Sequence, residues 1–185
     1  MRTITNEKEL EAAVYGGAFL GGDGGGLIEE GIRLGKVALE IGGVRIADPK
    51  ELFVVTASTV GSQAKGKGVL KPYNYIEAIR IVKRELGELS GLISSENGGL
   101  NTVAAWFQVA ALGLPVVDAP CDGRAHPTIL MGSMGLHRVE GYVSLQSFSV
   151  GSAEKNHVSG LIKGCLLYTS PSPRDLSTSR MPSSA

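Results

Sequence analysis

An excess of charge of either sign is missing from this chain: 18 Lys and Arg stand against 18 Asp and Glu. That balance removes the electrostatic case for binding nucleic acid or an anionic membrane surface. Long apolar runs are missing too, and none approaches the ~20 residues needed to cross a bilayer. The opening MRTITNEKELEAA lacks the apolar core of a signal peptide. Cysteine is scarce, with only Cys121 and Cys165, and scarce thiols without an export signal point to the cytoplasm. Aromatic residues make up 5% of the chain and tryptophan occurs once.

The last stretch, Cys165 to Ala185, reads CLLYTSPSPRDLSTSRMPSSA. It has neither helical nor strand periodicity, and Pro171, Pro173 and Pro182 interrupt both. Cys165–Asp175 resembles the translation of a transposon-type sequencing adapter. Ser179–Ala185 resembles the primer-binding segment that follows it, and Leu176–Thr178 fall where a variable index would sit. Scars of this kind are set aside in fold reasoning. Without Arg174, Arg180 and Asp175, 16 basic residues face 17 acidic ones, a net charge of −1. Cys121 is then the one thiol, which excludes an intrachain disulfide. The natural protein is expected to continue beyond Gly164.

Within the remaining residues, periodicity alternates between helix and strand. Asn6 with Glu9 three positions on starts a helix running to about Leu20. A glycine-rich run, Gly21 to Gly26 interrupted by Asp23, leads to a helix over about 27–41, with Ile28, Ile32, Leu39 and Ile41 on its apolar side and Gly42-Gly43 at its end. Short strands are expected at 44–47, 52–58, 91–94 and 115–118. The spacing predicts amphipathic helices over 75–86 and 102–112, the second capped by Asn101 and closed by Gly113. Strand–helix–strand–helix–strand order implies an α/β domain, a layered sheet with parallel strands and flanking helices joined by right-handed crossovers. Alternation over 142–150 suggests another strand. The expected organisation is an α/β N-terminal domain over 1–140, then 141–164 as the start of a truncated, mainly β second domain or the last elements of the first. The tail occupies 165–185.

In a parallel sheet, ligands bind beyond the carboxyl ends of the strands. The segments following the strands here are Ser58–Gly61, Glu96–Asn101 and Asp118–Pro127, and the last two are dense in polar residues and glycine. Glu96 suits a general base or metal ligand, and Asn97 and Asn101 suit amide recognition, although Asn101 also suits a helix cap. Asp118, Cys121, Asp122, Arg124 and His126 lie within nine positions. Cys121 is a candidate nucleophile if Arg124 or His126 lowers its pKa. Alternatively, Asp118, Cys121 and His126 are candidate ligands for a divalent metal such as zinc. A buried structural cysteine and an ordinary Asp122-Gly123 turn are the plainer readings, with Arg124 pairing with Asp118. Gly24, Gly25 and Gly26 either cradle an anion at the start of the second helix or form a tight turn with close backbone packing. His137 and His157 read as structural or surface residues.

The segments YGGAFLGGDGGG, GIRLGKVALEIGGV, ENGGLNT and GLPVVDAPCDGRAHPTILMGSMGLH cover most of residues 7–137. Together they resemble the N-terminal domain of the S-methyl thiohydantoin desulfurase family, which is associated with hydantoinase and oxoprolinase-type proteins. The resemblance implies an α/β domain followed by a largely β domain. It bears on Asp118, Gly123, Arg124 and Pro127 more than on a cysteine mechanism, because relatives vary around Cys121. It implies hydrolysis of a hydantoin-like cyclic amide, with Asp122 and Gly123 joining Gly24–Gly26, Asn97 and Asn101 around the substrate. The alternative is a non-catalytic ligand-binding or partner subunit, working as a homo-oligomer or with a hydantoinase-type protein.

Overall fold

The computed structural model describes residues 1–22, 24–52, 54–58, 71–125, 132–152 and 155–164. Thr59–Gly61 of the Ser58–Gly61 segment, His126, Pro127 and the 165–185 tail lie outside them. Among the described residues, strands β1 (Arg2–Ile4), β2 (Val44–Ala47), β3 (Val55–Ser58), β4 (Gly91–Ser94) and β5 (Val116–Val117) form one sheet in the order β1-β2-β5-β4-β3. β2, β5, β4 and β3 are parallel, and β1 joins β2 antiparallel at the edge. The helices are α1 (Glu7–Gly21), α2 (Ile28–Ile41), α3 (Pro72–Leu86) and α4 (Trp106–Leu112). The chain is therefore an α/β protein with a mostly parallel sheet.

Alternation along the strands separates two apolar clusters. Val44, Ile46, Leu92 and Val116 face the helices and pack with Leu10, Val14, Ile79, Val82 and Trp106. Leu10, Val14, Leu92 and Val44 are completely buried, each a side chain whose burial stabilises by roughly 1.5–3 kcal/mol. One residue along, Ile93 and Val117 face the other way and pack with Cys121, Leu52 and Ala119. Leu52 belongs to the connection from β2 to β3, so that strand begins three residues later than the apolar run suggested.

Helix boundaries follow local chemistry. Asn6 caps α1 by accepting from Glu9 N at 3.0 Å, and Gly22 ends it in the left-handed region. Pro72 opens α3, with Asn74 Oδ1 accepting from Lys71 N at 3.0 Å, so this helix starts three residues earlier than its apolar pattern does. The buried stripe of α2 is Gly31, Gly35 and Ala38, whereas Ile28, Ile32 and Leu39 pack at its margin and Ile41 is exposed. Small residues there bring α2 close to α1, where Leu10 fills the space over Gly35.

Strands β6 (Ser144–Ser152) and β7 (Lys155–Gly164) make an antiparallel hairpin against α3. Ser147 Oγ donates to Ala78 O at 2.7 Å, and Asn74 Nδ2 donates to Ser149 Oγ at 3.2 Å. The expected strand over 142–150 is present, and β7 was not anticipated. His157 bonds Ser149 at 3.1 Å and meets the Tyr73 ring edge-on, a structural role. No helix among the described residues is long and apolar enough to cross a membrane.

Candidate functional site

The loops leaving β4 and β5 are joined by main-chain bonds. Cys121 N donates to Ser94 O at 3.0 Å, Asp122 N to Ser95 O at 2.8 Å, and Asn97 N to Gly123 O at 2.9 Å. Ser95 N donates to Ser58 O at 3.1 Å, tying in the end of β3. Parallel strands place these ends side by side, and the ladder continues past the strands into the loops. Glu96, Asn97, Asp122, Gly123 and Arg124 are thereby gathered at one edge.

The glycine run supplies the seat for this edge. Gly25 O accepts from Leu100 N at 3.0 Å and from Asn101 N at 2.8 Å. A Cβ at Gly98 would stand 2.3 Å from Gly25 Cα, and one at Gly24 would stand 2.2 Å from Ala125 Cβ. Gly25 and Gly26 also have positive φ, which side chains with a Cβ rarely adopt. Close backbone approach is thus the visible role of Gly24–Gly26. The Arg124 guanidinium reaches beside Gly22, 3.6 Å from where a Cβ would be.

Asn101 does not cap a helix with its side chain. A 3₁₀ turn occupies Asn101–Val103 before α4 begins at Trp106, and Asn101 Nδ2 donates to Glu96 Oε1 at 2.6 Å. The reason is the tight Glu96–Asn101 loop, which brings that carboxylate back over residue 101. Asn101 is buried and Glu96 is half-buried, so the pair holds a carboxylate in a fixed position at the edge.

Cys121 differs from a reactive thiol. It is buried among Ile93 and Val117, and burial, aided by the neighbouring Asp122 carboxylate, pushes its pKa up to about 11. The anticipated lowering by Arg124 is not seen, because desolvation dominates. Burial likewise raises Tyr142, with Cys121 contributing. Ser133 Oγ donates to Cys121 O at 3.0 Å and Ser133 N to Asp122 O at 3.3 Å, closing the segment from below.

Asp118 is exposed and lies 4.0 Å from Arg2 on β1, so among the described residues its ion partner is Arg2 rather than Arg124. Among the described residues, no three His, Cys, Asp or Glu side chains come together to hold a metal, and His126 lies outside them.

A cleft of about 220 Å³ opens between α1 and the carboxyl ends of β2, β4 and β5. Asn97 and Asp118 line it, whereas Glu96, Cys121 and Arg124 are not among its described walls. Sequence reasoning missed Arg2, Gly16 and Thr102 as walls. The first belongs to an unanticipated strand, and the other two lie in the YGGAFLGGDGGG and ENGGLNT segments without having been read as site residues.

These features define a class: a mostly parallel α/β domain whose polar loops meet at one sheet edge beside a cleft. Residues 8–159 match the family model described as S-Me-THD-like, N-terminal domain, and the chain belongs to that family. It is similar in fold to a crystal structure of a protein from Chromobacterium violaceum, a structural-genomics target. The TM-score is 0.60 at 20% identity, over 90% of this chain and 46% of that one. The likeness is one of fold, and the chain spans just under half the length of that protein. No curated protein matches it.

Proposed function

We propose that this domain contributes to hydrolysis of a hydantoin-like cyclic amide, with S-methyl thiohydantoin as the substrate. Water adds to the ring carbon bearing sulfur and the C–S bond breaks. Sulfur leaves with its methyl group and one proton as methanethiol, the second proton of the water goes to the ring nitrogen, and the carbon becomes the carbonyl of hydantoin. The observation that carries this reading is the Glu96–Asn101 bond of 2.6 Å where three strand ends meet, in a chain of this family. Glu96 takes the proton from the attacking water, Asn101 positions its carboxylate, and Arg124 offsets negative charge developing on the ring nitrogen. Cys121 takes no part as a nucleophile, because a buried thiol with a pKa of about 11 supplies little thiolate. Asp118 and His126 remain alternatives to Glu96 for proton transfer, and Asp118, Cys121 and His126 the proposed ligands should a divalent metal such as zinc activate the water. The setting proposed is cytoplasmic.

The buried, poorly nucleophilic thiol favours a second reading. In it, the domain binds ligand for a hydantoinase-type partner or within a homo-oligomer. The test is methanethiol release from S-methyl thiohydantoin by a full-length protein carrying this domain. Release by the protein alone, abolished by Glu96→Gln, supports catalysis. Release only after a partner subunit is added supports the second reading.

A further inference from the structure

The cleft between α1 and the sheet edge lies beside the Glu96 loop, whose Asn97 lines it. Its α1 wall is made of Ala12, Ala13, Gly16 and Gly17 together with Leu20, and its floor includes Ile46 and Val116. Missing side chains on α1 create the opening, and the strands supply a flat apolar base. At about 220 Å³ it lies below the ~300–1,000 Å³ of pockets for drug-sized ligands, so its occupant is a small ring. A second hollow of about 70 Å³ is walled by Ile79, Leu89, Leu112 and Leu114, at the opposite, amino end of the strands.

The polar groups narrow the chemistry. Ser94 Oγ donates to Thr102 O at 2.9 Å, and Thr102 Oγ1 accepts from Gly98 N at 3.0 Å, so both hydroxyls are engaged within the fold. Asn97 contributes a carboxamide, which offers a donor and an acceptor side by side. It matches the N–H and C=O edge of a cyclic amide. Arg2 and Asp118 at the rim are both exposed and oppositely charged, leaving no net charge to favour an ionised ligand.

We propose that this cleft binds the ring of an uncharged cyclic amide, with Asn97 reading its amide edge. The assignment rests on the function proposed above and names where its substrate sits. The apolar floor holds the ring face, and the Glu96 loop, which also carries Asn97, stands at one end. Asn97 is a specificity-determining residue, and Glu96 handles the proton.

The test is calorimetric titration of the whole chain with hydantoin as the probe. Gly16 lines the cleft, and a Cβ there meets nothing within 4 Å, so Gly16→Leu fills the space without disturbing the helix. Binding by the parent chain, weakened at least about tenfold in Gly16→Leu and in Asn97→Ala, is the expected result. Unchanged circular dichroism in both variants excludes misfolding. Undetectable binding by the parent at millimolar hydantoin, or equal binding by Gly16→Leu, overturns the cleft. Equal binding by Asn97→Ala overturns its role. Methanethiol release by the full-length protein is read separately. Turnover that survives Gly16→Leu removes the cleft and keeps the desulfurisation reading. Cleft-dependent binding without turnover keeps the cleft and removes that reading.

Discussion

Replacing Gly31 by alanine tests the packing that holds the candidate site. In an exposed helix interior this change stabilises by roughly 0.5–1 kcal/mol, because glycine loses more backbone entropy on folding. Gly31 is buried in α2, and a Cβ there would stand 1.9 Å from Gly99 O, a main-chain atom. Carbon and oxygen normally approach no closer than about 3.3 Å, so helix and loop must part by about 1.4 Å. Overpacking of this kind destabilises by roughly 1–3 kcal/mol. The displaced loop also weakens the bonds from Leu100 N and Asn101 N to Gly25 O, each worth about 1 kcal/mol. Set against the helix gain, the net loss is about 2–3 kcal/mol, a fall in Tm of about 5–10 °C for a chain of this size. Gly16→Ala on α1 is the control, because its Cβ enters open space, and it should gain about 0.5–1 kcal/mol. Urea melts followed by circular dichroism would measure both. A Gly31→Ala protein as stable as the parent refutes the close approach of α2 to the loop.

Other expectations follow from the same contacts. Asn6→Ala removes the cap on α1 and should lower stability by about 1 kcal/mol in the same melts. Cys121 should resist iodoacetamide in the native chain at neutral pH and label on unfolding, with peptide mapping separating it from Cys165. Its folded pKa of about 11 lies above the ordinary 9.0, so the folded state retains the proton longer. Its stabilising contribution is full below pH 9 and lost as pH rises toward 11; stability that rises across that window contradicts the burial. Glu96→Gln in the full-length protein should reduce methanethiol release by at least about a hundredfold while leaving hydantoin binding by the cleft intact.

Much of the framework was legible because local chemistry set it. Asn6, Gly22 and Gly113 mark helix ends through capping and positive φ, and the runs at 91–94 and 115–118 marked buried strands. Only Val116–Val117 of the second run proved to be paired strand. β1 was hidden because three residues are too few to show a period, and its stability comes from pairing with β2. Asn101 was misread as a cap because sequence distance does not show that Glu96 folds back over it.

The sequence by itself determined the α/β class, the family resemblance and which loops carry polar residues, since these depend on periodicity and motif. Tertiary structure alone decided what those residues do. It turned the glycine run into a seat by placing Gly25 against Gly98, and it buried Cys121 where desolvation holds its proton. It set Glu96 against Asn101 and opened a cleft over small residues of α1. Each of these outcomes depends on contacts between segments distant in sequence, where excluded volume and local dielectric are set by neighbours that a linear pattern does not specify.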